Sequence, residues 1–128
     1  MADVVTVTDK GLEKITDLLA GVVSVAPGWV GWGIGTTPPV AGNTTLESAS
    51  AEARTVGTKT QQTTSTTKDT FQVVALIACT STNKAITEVA VFDALTSGNM
   101  FLRGTFSAIN VNVADSITFT IKTVFDQV

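Results

Sequence analysis

Residues 70–80 read TFQVVALIACT, a nearly continuous apolar run in the second half of the chain. A run of this length predicts a central β-strand that is covered on both faces. Residues 85–92 (AITEVAVF) and 117–125 (ITFTIKTVF) alternate apolar and polar side chains, which predicts strands with one buried face. Between these two segments, TSGN at 96–99 predicts a hairpin loop leading into a further strand over 100–107. Short turns between such strands predict antiparallel pairing.

The composition extends this prediction to the whole chain. Its 128 residues include 23 Thr, 17 Val and 7 Ile, and only 15% are charged, against about 25% in a typical protein. β-Branched side chains have restricted χ1 angles and suit a pleated surface better than a helix. We therefore predict one mainly β domain over residues 1–128, an antiparallel β-sandwich of jelly-roll-like type with one N-terminal helix. Residues 108–116 are expected to form an irregular connection.

The N-terminal segment carries the helical pattern. It predicts a helix over residues 9–20, capped by Thr8 or Asp9, that docks on a sheet through four apolar side chains: Leu12, Ile15, Leu18 and Leu19. The preceding VVTV at residues 4–7 fits either a short strand or part of an extended arm over residues 1–7.

A polar, threonine-rich tract occupies residues 54–67. It fits either a disordered linker or a solvated strand at a sheet edge. We favour the strand because the tract contains no proline and a single glycine. Before it, PPVAGN at residues 38–43 predicts a surface loop, since two adjacent prolines remove the N–H donors that a sheet needs.

The sequence is poor in groups that catalyse reactions or bind ligands. It has no His, and its single cysteine, Cys79, lies in the apolar run, where we expect a buried structural thiol. The acidic residues lack the spacing of a Ca²⁺ loop, and nothing points to a glycosidase-type pair of carboxylates. GWGIG at residues 31–35 lacks the third glycine and the following helix of a dinucleotide site. We predict no enzymatic activity, no cofactor and no metal.

Charge and hydropathy narrow the classes of partner. The net charge of −3 argues against nucleic-acid binding, which needs a basic surface. The most apolar stretch, residues 18–34, is interrupted by four glycines and a proline, so we predict no membrane span. The N-terminus shows no basic region leading into an apolar run, so no signal peptide is expected.

Two tryptophans are candidates for contacts with other molecules. Trp29 and Trp32 are three residues apart, so as strand residues they point to opposite faces. Either both fill the core, or one fills it and the other lies at a protein interface or stacks on a glycan.

Four charged residues are candidates for structural ion pairs. Glu88 and Arg103 fall in neighbouring strands and should pair if they are buried, because an unpaired buried charge is costly. Glu52 and Arg54 offer a second pair of this kind. Weak surface ion pairs are the alternative for both.

Several motifs together resemble small virion proteins of tailed bacteriophages. GIGTTPPVAGNTTL at 33–46, followed by EAR at 52–54, resembles their G-x-G-T-x-x-P…T-x-L…E-x-R stretch. ITEVAVFDA at 86–94 is similar to their T-E-x-G-L-F-D-A strand, although Ala90 stands where the pattern commonly has Gly. Their G-x-M-x-x-R hairpin and closing strand are similar to GNMFLR at 98–103 and DSITFT at 115–120.

This resemblance implies a structural component of the virion, made in the host cytoplasm, without activity or cofactor. Such proteins decorate the head as cement proteins or are associated with the tail or its fibres. We predict capsid decoration, with the major capsid protein as partner and a homotrimer as the assembly, because the chain lacks coiled-coil heptads and a long fibrous repeat. A tail or fibre module that contacts a host receptor or another tail protein is the alternative, and a hydrolase using the scattered carboxylates is a third.

The decoration hypothesis suggests where contacts lie. We expect the N-terminal arm or the 38–43 loop to touch the coat or a neighbouring subunit, and the threonine-rich strand to face solvent or a subunit seam. The interface candidates are Val4, Val5, Val7, Trp29, Trp32, Pro38 and Pro39.

Overall fold

A computed structural model describes residues 3–127, which form one helix and eight strands. In chain order these are β1 (Val4–Val7), α1 (Asp9–Leu19), β2 (Trp29–Gly33), β3 (Thr55–Val56), β4 (Thr58–Gln62), β5 (Thr70–Ala78), β6 (Lys84–Phe92), β7 (Met100–Val111) and β8 (Ser116–Val124).

The strands form two antiparallel sheets that pack face to face. The larger sheet has the order β1-β7-β6-β2-β3 and the smaller sheet the order β4-β5-β8. Their facing sides share one apolar core, to which the larger sheet contributes Trp32 and Leu102 and the smaller sheet Val73, Ile77 and Phe119. The predicted mainly β sandwich with one N-terminal helix is confirmed.

The burial of β5 and β6 is the reverse of what the sequence predicts. β5 is central in its sheet, but it is covered on one face only: Val73 and Ile77 are buried, whereas Leu76 is 55% exposed. The strand buried on both faces is β6, in which every residue from Ile86 to Phe92 is buried. The reason is that residues 34–54 cover the outer face of the larger sheet.

Strand β7 is longer than predicted. It runs to Val111, so residues 108–111 belong to the sheet and are not an irregular connection. Their pairing with β6 resumes after a register shift between Ile86 and Glu88. Such an irregularity breaks the alternation of apolar and polar side chains, which hides the strand in the sequence.

Helix α1 begins where predicted, and Ile15 packs against the core as expected, but Leu12 and Leu19 do not dock. The Thr8 hydroxyl caps it by accepting a hydrogen bond from the Gly11 N–H at 3.0 Å. Gly11 is buried against β7, whereas Leu12 and Leu19 are 56% and 83% exposed. The expectation that all four apolar side chains dock is therefore wrong. Because Gly11 has no side chain, the helix backbone approaches Phe101 closely, and this contact turns both leucines away from the sheet.

A Gly11→Ala substitution is expected to destabilise the protein. Alanine favours a helix by about 1 kcal/mol over glycine, but its Cβ would lie 2.1 Å from the Phe101 carbonyl oxygen. We expect the free energy of unfolding, measured by urea titration, to fall by about 1–3 kcal/mol through this overpacking. Gly42→Ala is the matched control, since nothing lies within 4 Å of the added carbon. An increase in stability for Gly11→Ala would contradict the close docking.

The N-terminal segment is a strand and not an arm over the described part of its length. Val4 pairs with Thr105 and Val7 with Leu102, so β1 forms an edge of the larger sheet. Of the two alternatives for Val4–Val7, the short strand is therefore confirmed and the extended arm is wrong, because these residues pair with β7. Residues 1 and 2 lie outside the described residues.

The threonine-rich tract is partly strand, as favoured, and partly an ordered loop. Its first half forms β3 and β4, and β4 pairs with β5 at the edge of the smaller sheet. After β4, the carboxylate of Asp69 organises the loop by accepting hydrogen bonds from the backbone N–H groups of Thr64, Ser65 and Thr66. These hydrogen bonds, with that from Thr66 the largest contribution, hold the pKa of Asp69 well below its usual range.

Candidate interaction site

Residues 34–54, the covering segment, lie across the outer face of the larger sheet. Leu46 is buried there beside Phe92. The segment passes so close to β2 that a side chain at Gly33 would place its Cβ 2.3 Å from the Ser48 carbonyl oxygen. Gly33 of the GWGIG motif therefore allows backbone to approach backbone, which agrees with the structural interpretation of that motif.

A buried ion pair between two strands of the larger sheet anchors the covering segment. The structure brings the candidates Glu88 and Arg103 together, with 3.4 Å between the Arg103 Nε and the Glu88 Oε1 and side chains that are 0% and 2% exposed. Glu88 also accepts hydrogen bonds from the backbone N–H groups of Glu47 and Ser48, at 2.8 and 3.1 Å. Arg103 reaches the covering segment through Asn43, whose Oδ1 lies 3.2 Å from Nη1.

A second anchor surrounds Glu52, whose side chain is 4% exposed. Its ion-pair partner is Lys84, with an N–O distance of 2.7 Å. Further donors come from four residues of the chain: Trp32, Ser50, Thr80 and Ser81. Burial alone raises the pKa of Glu52, but the hydrogen bonds from Lys84, Ser50 and Ser81 outweigh it and hold this pKa far below its usual range. The carboxylate thereby joins the covering segment to the turn before β6.

Arg54 does not pair with Glu52 in the described structure. Its guanidinium lies over the Phe92 ring, 3.4 Å from the centroid, and Nη1 donates to the carbonyl oxygens of Ala94 and Ser97 at 2.8 Å. The predicted pairing of Glu52 with Arg54 is replaced because each side chain finds a partner near a different end of β6. Lys84 begins that strand, and Ala94 and Ser97 follow it.

The two tryptophans lie on opposite faces of β2. Trp32 is 1% exposed in the core between the sheets, where it packs edge-to-face on Phe119 with 6.4 Å between the ring centroids. It therefore offers no exposed surface to a partner. Trp29 is half-buried on the other face, against the Leu46 cluster. An interface role for Trp29 stays a prediction.

The other interface candidates differ in exposure. Val4 and Val5 are 41% and 59% exposed on β1, and Val7 is half-buried. In the 38–43 loop, Pro38 is exposed and Pro39 is buried. Whether these residues contact another protein stays a prediction.

The sequence did not reveal a group of exposed apolar side chains near helix α1 and the chain end after β8. This helix-end patch comprises five exposed side chains: Leu12, Leu19, Val22, Val25 and Phe125. Beside it lies an apolar cavity of about 200 Å³, lined in part by Ile15, Leu18 and Pro27. The signal in the sequence is the run GVVSVAP at residues 21–27, whose apolar residues follow the helix without belonging to a strand.

Other groups in the described chain serve the fold. Cys79 is fully buried, and its Sγ lies 3.1 Å from the Thr82 carbonyl oxygen. Within residues 3–127, no three His, Cys, Asp or Glu side chains are grouped so that they could hold a metal ion. No helix in the same range has the length and apolar character needed to cross a membrane.

The fold and these contacts define a small antiparallel β-sandwich whose covering segment is held by buried charges. The family model described as "Podophage GP4 fiber I protein gp80" matches residues 6–125, and the chain belongs to this family. It is therefore a phage virion structural protein, as the resemblance implied. No curated protein and no solved structure matches the chain.

Proposed function

We propose that the chain is a non-enzymatic component of the tail-fibre apparatus, where it holds other virion proteins through its surface. The observation that carries this proposal is the match to a phage fibre family over residues 6–125, which includes almost the whole sandwich. Contact with other virion proteins follows from membership of a virion structural family.

The state of the carboxylates supports a structural role. The buried Glu52 and Glu88 and the loop residue Asp69 each accept several hydrogen bonds from donors of the chain itself. A general acid or nucleophile needs a carboxyl group that can reach substrate. These three carboxylates are instead used to fix loops and the covering segment.

Capsid decoration is the second candidate. The compact sandwich, whose helix has only 11 residues, suits a shell-bound module better than a fibre shaft. In that case the major capsid protein is the partner and a homotrimer is the assembly unit. A protein that binds the assembled lattice and not the free subunits stabilises the lattice by mass action, and many copies add to the effect.

The copy number and position in purified virions test the proposal. We expect a small number of copies per particle, counted against the major capsid protein with isotope-labelled peptides, and immunogold label at the tail. Antibody against the major capsid protein, which marks the head, is the control. Hundreds of copies with label over the head would replace the tail-fibre proposal with capsid decoration. Absence from the particles would contradict both.

A further inference from the structure

The two sheets of the sandwich differ in width, and this leaves one side of the fold open. The larger sheet has five strands and the smaller sheet three, with β8 at an edge of the smaller sheet. Val5 and Val7 of β1 lie on the same face of the larger sheet, and Val7 is paired with Leu102 of the core. Val5 therefore lies on the inner face, yet it is 59% exposed. Since an inner-face side chain is exposed only where the opposite sheet ends, the smaller sheet stops short of β1.

An apolar groove of about 530 Å³ lies along this open side, between β8 on one side and β1 and β7 on the other. The residues that line it include Val5, Leu102, Gly104, Phe106, Ile117 and Phe119. Phe106, Ile117 and Ile121 pack against the core but are only partly buried. The groove therefore exposes the margin of the core itself.

Hydrogen bonds at both ends of β8 fix which of its residues bond to β5. Before β8, the Cys79 N–H donates to the Asp115 carbonyl oxygen at 2.7 Å. After β8, the Phe125 N–H donates to the Asp69 carbonyl oxygen at 3.0 Å. The register between β5 and β8 has no shift from one bond to the other. The odd-numbered residues of β8 therefore turn their N–H and C=O groups toward β5.

The even-numbered residues of β8 turn the same groups away from β5, because the two orientations alternate along an antiparallel strand. They form a free edge, at which no other strand pairs within residues 3–127. Its central residues are Thr118, Thr120 and Lys122. Proteins usually block such an edge with proline, a bulge or charged side chains. Over its nine residues β8 has no proline and no bulge, and its one charged residue is Lys122.

The free edge and the groove together define the chemistry of what fits them. Another extended backbone can satisfy the outward N–H and C=O groups along the whole edge, as in strand addition to a sheet. Every second side chain of an added strand would point into the groove, beside Ile117 and Phe119. The others would lie beside Thr118 and Thr120 on the outer face. The segment that fits is therefore extended, apolar at alternate positions and polar at the rest.

We propose that the free edge of β8 and the adjoining groove bind an extended segment of another virion protein, which adds a fourth strand to the smaller sheet. This inference rests on the proposed function, in which the chain holds other virion proteins, and it names the chemistry of the segment that is held. Because β1 and β7 wall the groove opposite β8, the space favours a single strand over the edge of a second folded copy. Of the interface candidates, Val5 lies in the groove and Val4 on the opposite face of β1.

Binding of synthetic peptides to the full-length chain tests the inference. The probes are overlapping peptides, each about as long as β8 with a few flanking residues, that span the other virion proteins of the same phage. By fluorescence polarisation, we expect a peptide with alternating apolar residues to bind. Its binding should also slow amide hydrogen exchange at Thr118, Thr120 and Lys122. If no peptide binds at about 100 μM, the inference is overturned.

Two pairs of variants separate strand addition from other modes of binding. Thr120→Pro removes an N–H that faces away from β5, so the fold should persist while peptide binding weakens by about tenfold or more. Thr120→Val keeps this N–H and is the matched control. Val5→Glu places a charge in the groove wall and should weaken binding to a similar degree, whereas Val4→Glu, on the opposite face, should not. Circular dichroism should show the same fold for all four variants, and equal binding by Thr120→Pro and Thr120→Val would overturn the inference.

The source of the bound peptide distinguishes this inference from the proposed location in the tail fibre. A peptide from a tail protein supports both. A peptide from the major capsid protein supports strand addition and contradicts the tail-fibre proposal. If wild-type copies instead associate with one another, and Thr120→Pro abolishes that association, the occupant of the groove is a second copy and the inference is wrong.

Discussion

An Arg103→Met substitution is expected to lower the free energy of unfolding by about 3–5 kcal/mol, because it removes one partner of a buried ion pair. Without the guanidinium, the carboxylate of Glu88, which is 0% exposed, stays buried with no cation beside it. Its remaining hydrogen bonds, from the N–H groups of Glu47 and Ser48, do not neutralise the charge. Urea denaturation at neutral pH measures the loss.

The exposed pair Lys10–Glu13 provides the control for this prediction. Its side chains are 51% and 57% exposed, so Lys10→Met should change stability by less than about 1 kcal/mol. The double variant Glu88→Gln/Arg103→Met should recover part of the loss, since no unpaired charge then remains in the interior. If Arg103→Met alone costs less than about 1 kcal/mol, the buried pair does not anchor the covering segment as described.

The sequence predicts the features of this protein that depend on local pattern. The alternation in residues 117–125 predicts β8 and its buried Phe119, and the hairpin loop brings the strands of Glu88 and Arg103 side by side. Two neighbouring strands joined by a short loop leave few possible registers. For this reason the approach of these two charges could be inferred before their burial was known.

The covering segment could not be predicted in this way. It has no periodic pattern, and its route depends on contacts with residues far along the chain, such as that between Glu52 and Lys84. This segment determines which strand is buried on both faces. The sequence therefore predicted two buried faces for β5, whereas the structure has them on β6. Composition within a strand does not reveal what lies over it.

The helix-end patch was not predicted from the sequence, for a related reason. The spacing of Leu12, Ile15, Leu18 and Leu19 identifies an amphipathic helix but not the direction in which it docks. That direction is set by Gly11, where the absence of a side chain permits close contact with Phe101. A glycine in a helix is expected from sequence to lower the stability of the helix, whereas here the missing side chain determines how the helix packs.

A Glu52→Gln substitution is expected to produce the second large loss of stability, about 3 kcal/mol or more near neutral pH. The glutamine side chain keeps the shape but loses the charge, and its NH₂ group turns a donor toward Lys84 or toward the N–H groups of Thr80 and Ser81. The Lys84 ammonium, whose side chain is 11% exposed, then lacks its anionic partner. Glu13→Gln, a change at an exposed ion pair, should cost less than about 1 kcal/mol.

The pH dependence of the free energy of unfolding distinguishes an effect of the charge of Glu52 from an effect of the shape of its side chain. In the folded protein its pKa lies far below 4.5, the usual value for a glutamate, so the unfolded chain binds a proton on this group more readily than the folded chain does. The stabilisation is therefore complete above about pH 5 and declines as the pH falls through the unfolded value and below it. In unfolding titrations between pH 7 and pH 3, the difference between wild type and Glu52→Gln should narrow on the acid side. A difference that stays constant over this range would show that Glu52 acts through its shape and not as the anion that joins the covering segment to Lys84.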